Sequence, residues 1–224
     1  VPAFKIGSGD ITWLELILKV ASKNKPFILA SGASDISDVD LAVETALKNN
    51  KDFCLMQCNT NYTGSLENFK YINLNVLKNF KKRYPDILLG LSDHTPGHST
   101  VLGAVTLGAK IIEKHFTDDN YRSGPDHLFS MNPNSWKEMV DRTREIELAL
   151  GDSVKKVEDN EKDSIIVQRR SLRTKRDMMK GEEISRNDLT ILRPCPKDGL
   201  NPYEISNILG MKLNKNIKAG SLIK

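Results

Sequence analysis

The chain has 224 residues and a formal net charge of +4 at pH 7, with 39% hydrophobic and 28% charged residues. This composition is typical of a soluble globular protein with one large domain, or with one moderate and one small domain. No apolar run approaches the roughly 18 residues of a membrane span, and the first residues show no basic-then-apolar signal pattern. We therefore expect neither a membrane-spanning segment nor a membrane partner.

The three cysteines favour a reducing compartment. Cys54 and Cys58 lie in one apolar stretch, and Cys195 is distant in the sequence. The C-x3-C spacing of Cys54 and Cys58 is not typical of a metal site, and two thiols on one strand are poorly oriented to form a disulfide. We interpret all three as free thiols and expect the protein in the cytoplasm.

Five short apolar segments predict β-strands that alternate with helices. They begin 23, 26, 34 and 24 residues apart, the spacing of repeated βα units. Their nearly continuous apolar character predicts a parallel sheet covered by helices, either an open doubly wound sheet or a barrel. Five strands cannot close an eight-stranded barrel, so a barrel would need about three more units at the front. The predicted strands are 4–8, 27–31, 53–58, 87–92 and 111–116, with helices within 13–21, 37–46, 65–80, 101–105 and 136–146.

The sequence pattern changes after the fifth predicted helix. A polar, charge-rich stretch without apolar periodicity is followed by short apolar runs at 165–167 and 189–192. Two predicted turns, each with a lysine followed by a glycine (Gly181 and Gly220), favour a small β-rich domain. The predicted domain boundaries are 1–150, a linker at 151–163, and 164–224.

The predicted small domain is basic. From Ser164 onward there are 13 Lys and Arg against 6 Asp and Glu, a net of +7, whereas the first 163 residues have 20 against 23, a net of −3. Such a domain attracts an anionic small molecule, an acidic partner surface or nucleic acid, and a merely solvated surface explains it equally well. Because no aromatic residues interleave with the basic ones, we expect no nucleic-acid partner.

A Gly-Ser-Gly turn (residues 7–9) ends the first predicted strand. Its backbone N–H groups, the hydroxyl of Ser8 and the ammonium of Lys5 are groups that hold a phosphate. A tight strand-to-helix turn that needs glycine explains the same residues without any ligand.

His94 follows the fourth predicted strand and His115 lies near the end of the fifth, 21 residues apart, with Asp93, Glu113 and Asp126 nearby. The carboxyl ends of parallel strands are where active sites are built, so the two imidazoles are expected to converge on one metal or one substrate carbonyl. Imidazoles with oxygen ligands suit catalytic Mn²⁺ or Mg²⁺ better than structural zinc. Two structural histidines are the other interpretation.

Polar side chains also follow the third and fifth strands. Residues 58–62, which include Thr60 and Tyr62, offer groups that a sugar or carboxylate site needs, although ordinary turn chemistry explains them too. Asp126 stands in a Gly-Pro-Asp-His turn, where it is placed to orient a sugar hydroxyl or to act as a base.

At these residues the chain resembles the sialic acid synthases, including legionaminic and pseudaminic acid synthases. The resemblance covers nearly the whole chain, through the segments KIGSGD, NY, GLSDHT, IIEKHF, GPDH, RRSL and LRP. It implies strands four to eight of a (β/α)8 TIM barrel followed by an antifreeze-like SAF (β-clip) domain. It also implies an enzyme that condenses phosphoenolpyruvate with an N-acylated amino sugar, of the N-acetylmannosamine type, into a nine-carbon 2-keto acid, releasing phosphate.

The resemblance assigns roles to individual residues. His94 and His115 match metal ligands, with Mn²⁺ the expected ion and Mg²⁺ or Co²⁺ as alternatives. Asp10 matches a position near the reacting aldehyde where many members have Glu, and Thr60 stands where the family often has Asn. The resemblance further implies a homodimer in which the SAF domain covers the barrel of the other subunit. The remaining assignments are Lys5, Ser8 and Ser92 to phosphoenolpyruvate, Tyr62 and Asp126 to the sugar, and Arg193 to its N-acyl group.

The first barrel strands of the family have no counterpart in this sequence. We therefore expect a fragment that carries part of a composite site and is inactive alone. The alternatives are a metal-dependent aldolase that uses pyruvate, and a non-catalytic saccharide-binding or assembly module.

Overall fold

Five parallel strands form the sheet of the first of two units in this computed structural model, which describes residues 1–223. Each strand pairs with the next in the sequence, so the order never reverses. A doubly wound sheet reverses its order at a switch point, and this sheet therefore corresponds to a curled part of a barrel. That the five are barrel strands four to eight stays a prediction. The strands are β1 (Phe4–Ile6), β2 (Phe27–Ala30), β3 (Phe53–Cys58), β4 (Leu88–Asp93) and β5 (Ile111–Lys114).

Helices follow the strands, and local sequence fixes where they begin. Asp35 and Asp38 form a capping box at one helix, and Asn132 caps another that has Pro133 in its first turn. The helices are α1 (Leu14–Ala21), α2 (Ile36–Leu47), α3 (Val76–Arg83), α4 (Ser99–Thr106) and α5 (Pro133–Leu150).

The single helix predicted within 65–80 is wrong, because two helical elements occupy that stretch. A 3₁₀ helix (Leu66–Tyr71) precedes α3, and Asn73 between them has a left-handed backbone with φ of 49°. A left-handed residue cannot continue a helix. The side chain of Gln57 also donates to the carbonyl of Ile72 at 2.9 Å, which holds the break against the sheet.

The main core lies between the sheet and the helices. One row of side chains crosses four paired strands, and residues of α1 and α3 belong to the same buried cluster. This apolar burial is the main stabilising term of the first unit. The row consists of Ile6, Leu29, Leu55 and Leu89, and among its helical partners are Ile17, Leu77 and Phe80.

The second unit begins at Val154 and has its own small core. It contains α6 (Lys162–Gln168) and one antiparallel pair, β6 (Ser171–Thr174) with β7 (Leu189–Leu192). The apolar run at 165–167 is part of α6, because a 3₁₀ turn directly before it starts the helix. Both predicted glycine turns have positive φ, 89° at Gly181 and 79° at Gly220. None of the helices within residues 1–223 has the length and apolarity to cross a membrane.

Candidate functional site

Side chains from both edge strands of the sheet meet at its carboxyl end. The ammonium of Lys5 on β1 lies 3.0 Å from a carboxylate oxygen of Glu113 on β5, although three strands separate them in the sheet. The hydroxyl of Ser92 donates to the same oxygen at 2.9 Å. The curvature of the sheet thus gathers a cation, a hydroxyl and a carboxylate where a parallel α/β protein places its active site.

Ser8 and Thr60 are brought together by a glycine of the loop after β2. The backbone N–H of Gly32 donates to Ser8 Oγ at 2.9 Å. A Cβ atom at Gly32 would lie 2.5 Å from Thr60 Cγ2 and 2.8 Å from Ser8 Oγ, so no larger residue fits there. The loops at the carboxyl ends of β1, β2 and β3 therefore pack closely against one another.

The imidazoles of His94 and His115 lie edge to face, with ring centroids 5.1 Å apart and an interplanar angle of 72°. His94 Nδ1 lies 2.7 Å from the backbone carbonyl of Asn59, which only accepts, so Nδ1 carries the proton and Nε2 keeps a free lone pair. Burial lowers the pKa of His94, against the opposing effect of that hydrogen bond. A neutral imidazole is the form that binds metal ions.

Tyr62 and Asp126 enclose this histidine pair. The Tyr62 ring centroid lies 4.1 Å from that of His94 and 5.6 Å from that of His115. A carboxylate oxygen of Asp126 lies 3.5 Å from His115 Nδ1, and Asp126 has a left-handed backbone with φ of 68°. These two side chains therefore border any ligand that the imidazoles hold.

The donor set fits one divalent ion shared by His94 and His115. An imidazole whose Nδ1–H is bound to a backbone carbonyl is the usual state of a metal-ligating histidine. Within residues 1–223, no group of three or more His, Cys, Asp and Glu side chains is placed to hold a metal ion. Two imidazoles are fewer than the three protein ligands of a typical catalytic zinc site, so a shared ion would take its other ligands from water, substrate or further groups.

The two remaining predicted site residues are Asp10 and Arg193. Asp10 is exposed in a 3₁₀ helix (Ser8–Asp10), and no ion pair or side-chain hydrogen bond joins it to the others within the described residues. Arg193 belongs to the second unit, where it is exposed and its Nε donates to the carbonyl of Gln168 at 2.6 Å. Their roles stay predictions.

Glu113 and Gly32 contribute to these contacts, although the sequence names Glu113 only as a carboxylate near the histidines and assigns no role to Gly32. Glu113 could have been found from the alignment of the two strands, because it is the register partner of Ser92 across β4 and β5. Gly32 gave no local signal, since its need for glycine comes from Ser8 and Thr60, which are remote in the sequence.

Comparison with known proteins identifies the relatives of this chain. Residues 1–155 match the NeuB family and residues 169–224 match the SAF domain. An N,N'-diacetyllegionaminic acid synthase of Legionella pneumophila is 38% identical over 100% of this chain and 62% of its own length. An uncharacterized protein of Methanocaldococcus jannaschii is 40% identical over 100% of this chain and 65% of its own length. The chain thus spans less than two thirds of either relative.

A solved structure shares the fold. The crystal structure of an N-acetylneuraminic acid synthetase from Leptospira borgpetersenii, in complex with citrate, has a TM-score of 0.67 and 31% identity. The match covers 74% of this chain and 56% of that one. Because the family match extends over residues 1–155, well over half of the chain, the protein belongs to the NeuB family and also contains a SAF domain.

Proposed function

We propose that this chain provides a large part of the active site of a sialic acid synthase-like enzyme. The enzyme condenses phosphoenolpyruvate with an N-acylated amino sugar of the N-acetylmannosamine type, giving a nine-carbon 2-keto acid and phosphate. The observation that carries the proposal is the meeting of the His94–His115 pair and the Lys5–Glu113–Ser92 cluster at one end of the sheet. Relatives named as legionaminic, pseudaminic and N-acetylneuraminate-9-phosphate synthases support it.

The phosphoenolpyruvate end of the site is assigned to Lys5, Ser8 and Ser92. An ammonium and two hydroxyls donate to the carboxylate and phosphate oxygens of this trianion. The close packing of Gly32 against Ser8 holds the Ser8 hydroxyl in place. The attacking methylene carbon is thereby directed at the sugar aldehyde.

The sugar end is assigned to three side chains, those of Tyr62, Asp126 and Thr60. A divalent ion held by His94 and His115, Mn²⁺ by preference and Mg²⁺ or Co²⁺ as alternatives, would supply Lewis-acid polarisation of the aldehyde oxygen. Asp126 or Asp10 takes a proton from the water that adds at C2 of the phosphoenolpyruvate unit. Phosphate then leaves with cleavage of its C–O bond.

The second unit is assigned to the lid of the site. Arg193 contacts the N-acyl group, and the basic SAF domain of one subunit covers the barrel of its partner in a domain-swapped homodimer. The free thiols of Cys54, Cys58 and Cys195 support our assignment to the cytoplasm.

The experiment is a phosphate-release assay with phosphoenolpyruvate and N-acetylmannosamine. The 224-residue chain is assayed alone and together with a polypeptide containing the part of the Methanocaldococcus jannaschii relative that lies outside the match. We expect no turnover from the chain alone, and turnover by the pair that is lost with chelator. His94→Gln and His115→Gln should each reduce turnover by orders of magnitude, whereas His98→Gln, a nearby histidine outside the pair, should not.

Each alternative has its own outcome in this assay. Absence of phosphate release by the paired polypeptides in the presence of Mn²⁺ would refute the proposal. Turnover with pyruvate in place of phosphoenolpyruvate would favour an aldolase. Saccharide binding without turnover, unaffected by chelator, would favour a binding module.

A further inference from the structure

A buried ion pair directly precedes the two histidines. Asp93 and Lys114 are register partners at the ends of β4 and β5, and His94 and His115 are the next residues in the chain. The two side chains are 0% and 1% exposed, and Lys114 Nζ lies 2.7 Å from Asp93 Oδ2. The pair therefore joins the two backbone positions from which the imidazoles extend.

Lys114 uses all three of its ammonium protons. Besides Asp93, Nζ donates to the carbonyl of Thr95 at 2.6 Å and to the carbonyl of Gly97 at 2.8 Å. An ammonium has three donors and no acceptor, so the group is saturated. These bonds attach the end of β5 to the loop that follows His94.

Asp93 extends the same network to α4. Its carboxylate accepts from the backbone N–H of Thr95 at 3.1 Å, from Thr95 Oγ1 at 2.9 Å and from Thr100 Oγ1 at 2.5 Å. Thr100 lies in the first turn of α4. The backbone on both sides of His94 is thus held by directed bonds to one carboxylate and one ammonium.

Stability alone does not account for such a pair. Removing two charges from water costs several kcal/mol per ion, and apolar residues of similar volume often serve the fold as well. Directed bonds fix positions in a way that apolar contacts do not. Outer-shell partners of this kind orient metal-ligating histidines.

We propose that Asp93 and Lys114 are positioning residues that hold His94 and His115 at the separation needed to share one divalent ion. This inference deepens the proposed function and depends on its metal site. Neither side chain belongs to the ligand set, and both act through the backbone of the residue that follows.

The test measures Mn²⁺ affinity by electron paramagnetic resonance, on the full 224-residue chain. Asp93→Asn with Lys114→Met removes both charges while an amide oxygen remains to accept from Thr95 and Thr100. We expect Mn²⁺ to bind about 10- to 100-fold more weakly, with circular dichroism and the unfolding temperature close to those of the unchanged chain. The control is Asp40→Asn, which disrupts the Asp40–Arg83 ion pair elsewhere in the first unit and should keep the unchanged affinity.

The outcomes separate this inference from the proposed function. Unchanged Mn²⁺ affinity in the folded double variant would overturn the inference and leave the metal site intact. No Mn²⁺ binding by the unchanged chain would overturn the metal site itself. If the double variant does not fold, Thr100→Val replaces it, because it removes one anchor of Asp93 while the buried charges of Asp93 and Lys114 remain paired. That variant should also bind Mn²⁺ more weakly, and equal affinity would contradict the inference.

Discussion

Lys5 and Glu113 form an ion pair at 3.0 Å although they lie on β1 and β5, the two edge strands of the sheet. In a flat sheet, with strands about 4.8 Å apart, these residues would be separated by nearly 20 Å. Their contact therefore results from the curl of the sheet, and it brings Lys5 to the same Glu113 oxygen that accepts from Ser92.

Replacing Lys5 by Met should weaken phosphoenolpyruvate binding without unfolding the chain. Its half-exposed pair with Glu113 contributes only about 0–1 kcal/mol to stability. A lost charge-assisted bond to the substrate costs about 1.5–3 kcal/mol, or roughly a 10- to 100-fold rise in KM for phosphoenolpyruvate. Steady-state kinetics of the paired polypeptides measure this, with Lys19→Met on α1 as the control. An equal rise in KM for the sugar would contradict the assignment.

Arg193→Ala tests the lid. Because Arg193 is assigned to the N-acyl group alone, its removal should raise KM for the sugar by about tenfold, the effect of one charge-assisted bond. KM for phosphoenolpyruvate should change much less. The control is Arg186→Ala, another exposed arginine of the second unit. Unchanged kinetics in the Arg193 variant would remove this residue from the site.

The second unit should lose stability in acid through Asp188. Hydrogen bonds from Ser185, with a further contribution from Arg176, lower the pKa of Asp188 in the folded state. The stabilisation is therefore complete above the unfolded pKa of about 3.9 and is lost as the pH falls through the lower folded value. Asp188→Asn should lower the unfolding temperature at pH 7, and this difference should vanish in strong acid. A difference that persists there, or one of equal size in exposed Asp159→Asn, would contradict this account.

The sequence predicted those features of the fold that depend on local pattern. The alternation of strands and helices followed from apolar periodicity, and the location of His94 and His115 followed from the ends of predicted strands. The break at Asn73 was missed because helical spacing continues across it, while the left-handed backbone is held by Gln57 from another element.

Contacts between distant elements were less accessible to sequence reasoning. The Lys5–Glu113 contact depends on curvature summed over five strands, which no local pattern encodes. Asp93 was grouped with the histidines as a nearby carboxylate, yet its side chain is buried against Lys114 and α4. The sequence does not indicate whether a side chain at the end of a strand points into the site or into the core; the structure does.

We propose that His94 and His115 share one divalent ion. Electron spin echo envelope modulation of Mn²⁺ bound to the chain tests this, because it detects ligated imidazole nitrogen. The account predicts coupling to two histidine nitrogens in the unchanged chain and to one in each of His94→Gln and His115→Gln. Nitrogen coupling that is absent, or that survives unchanged in both variants, would contradict it.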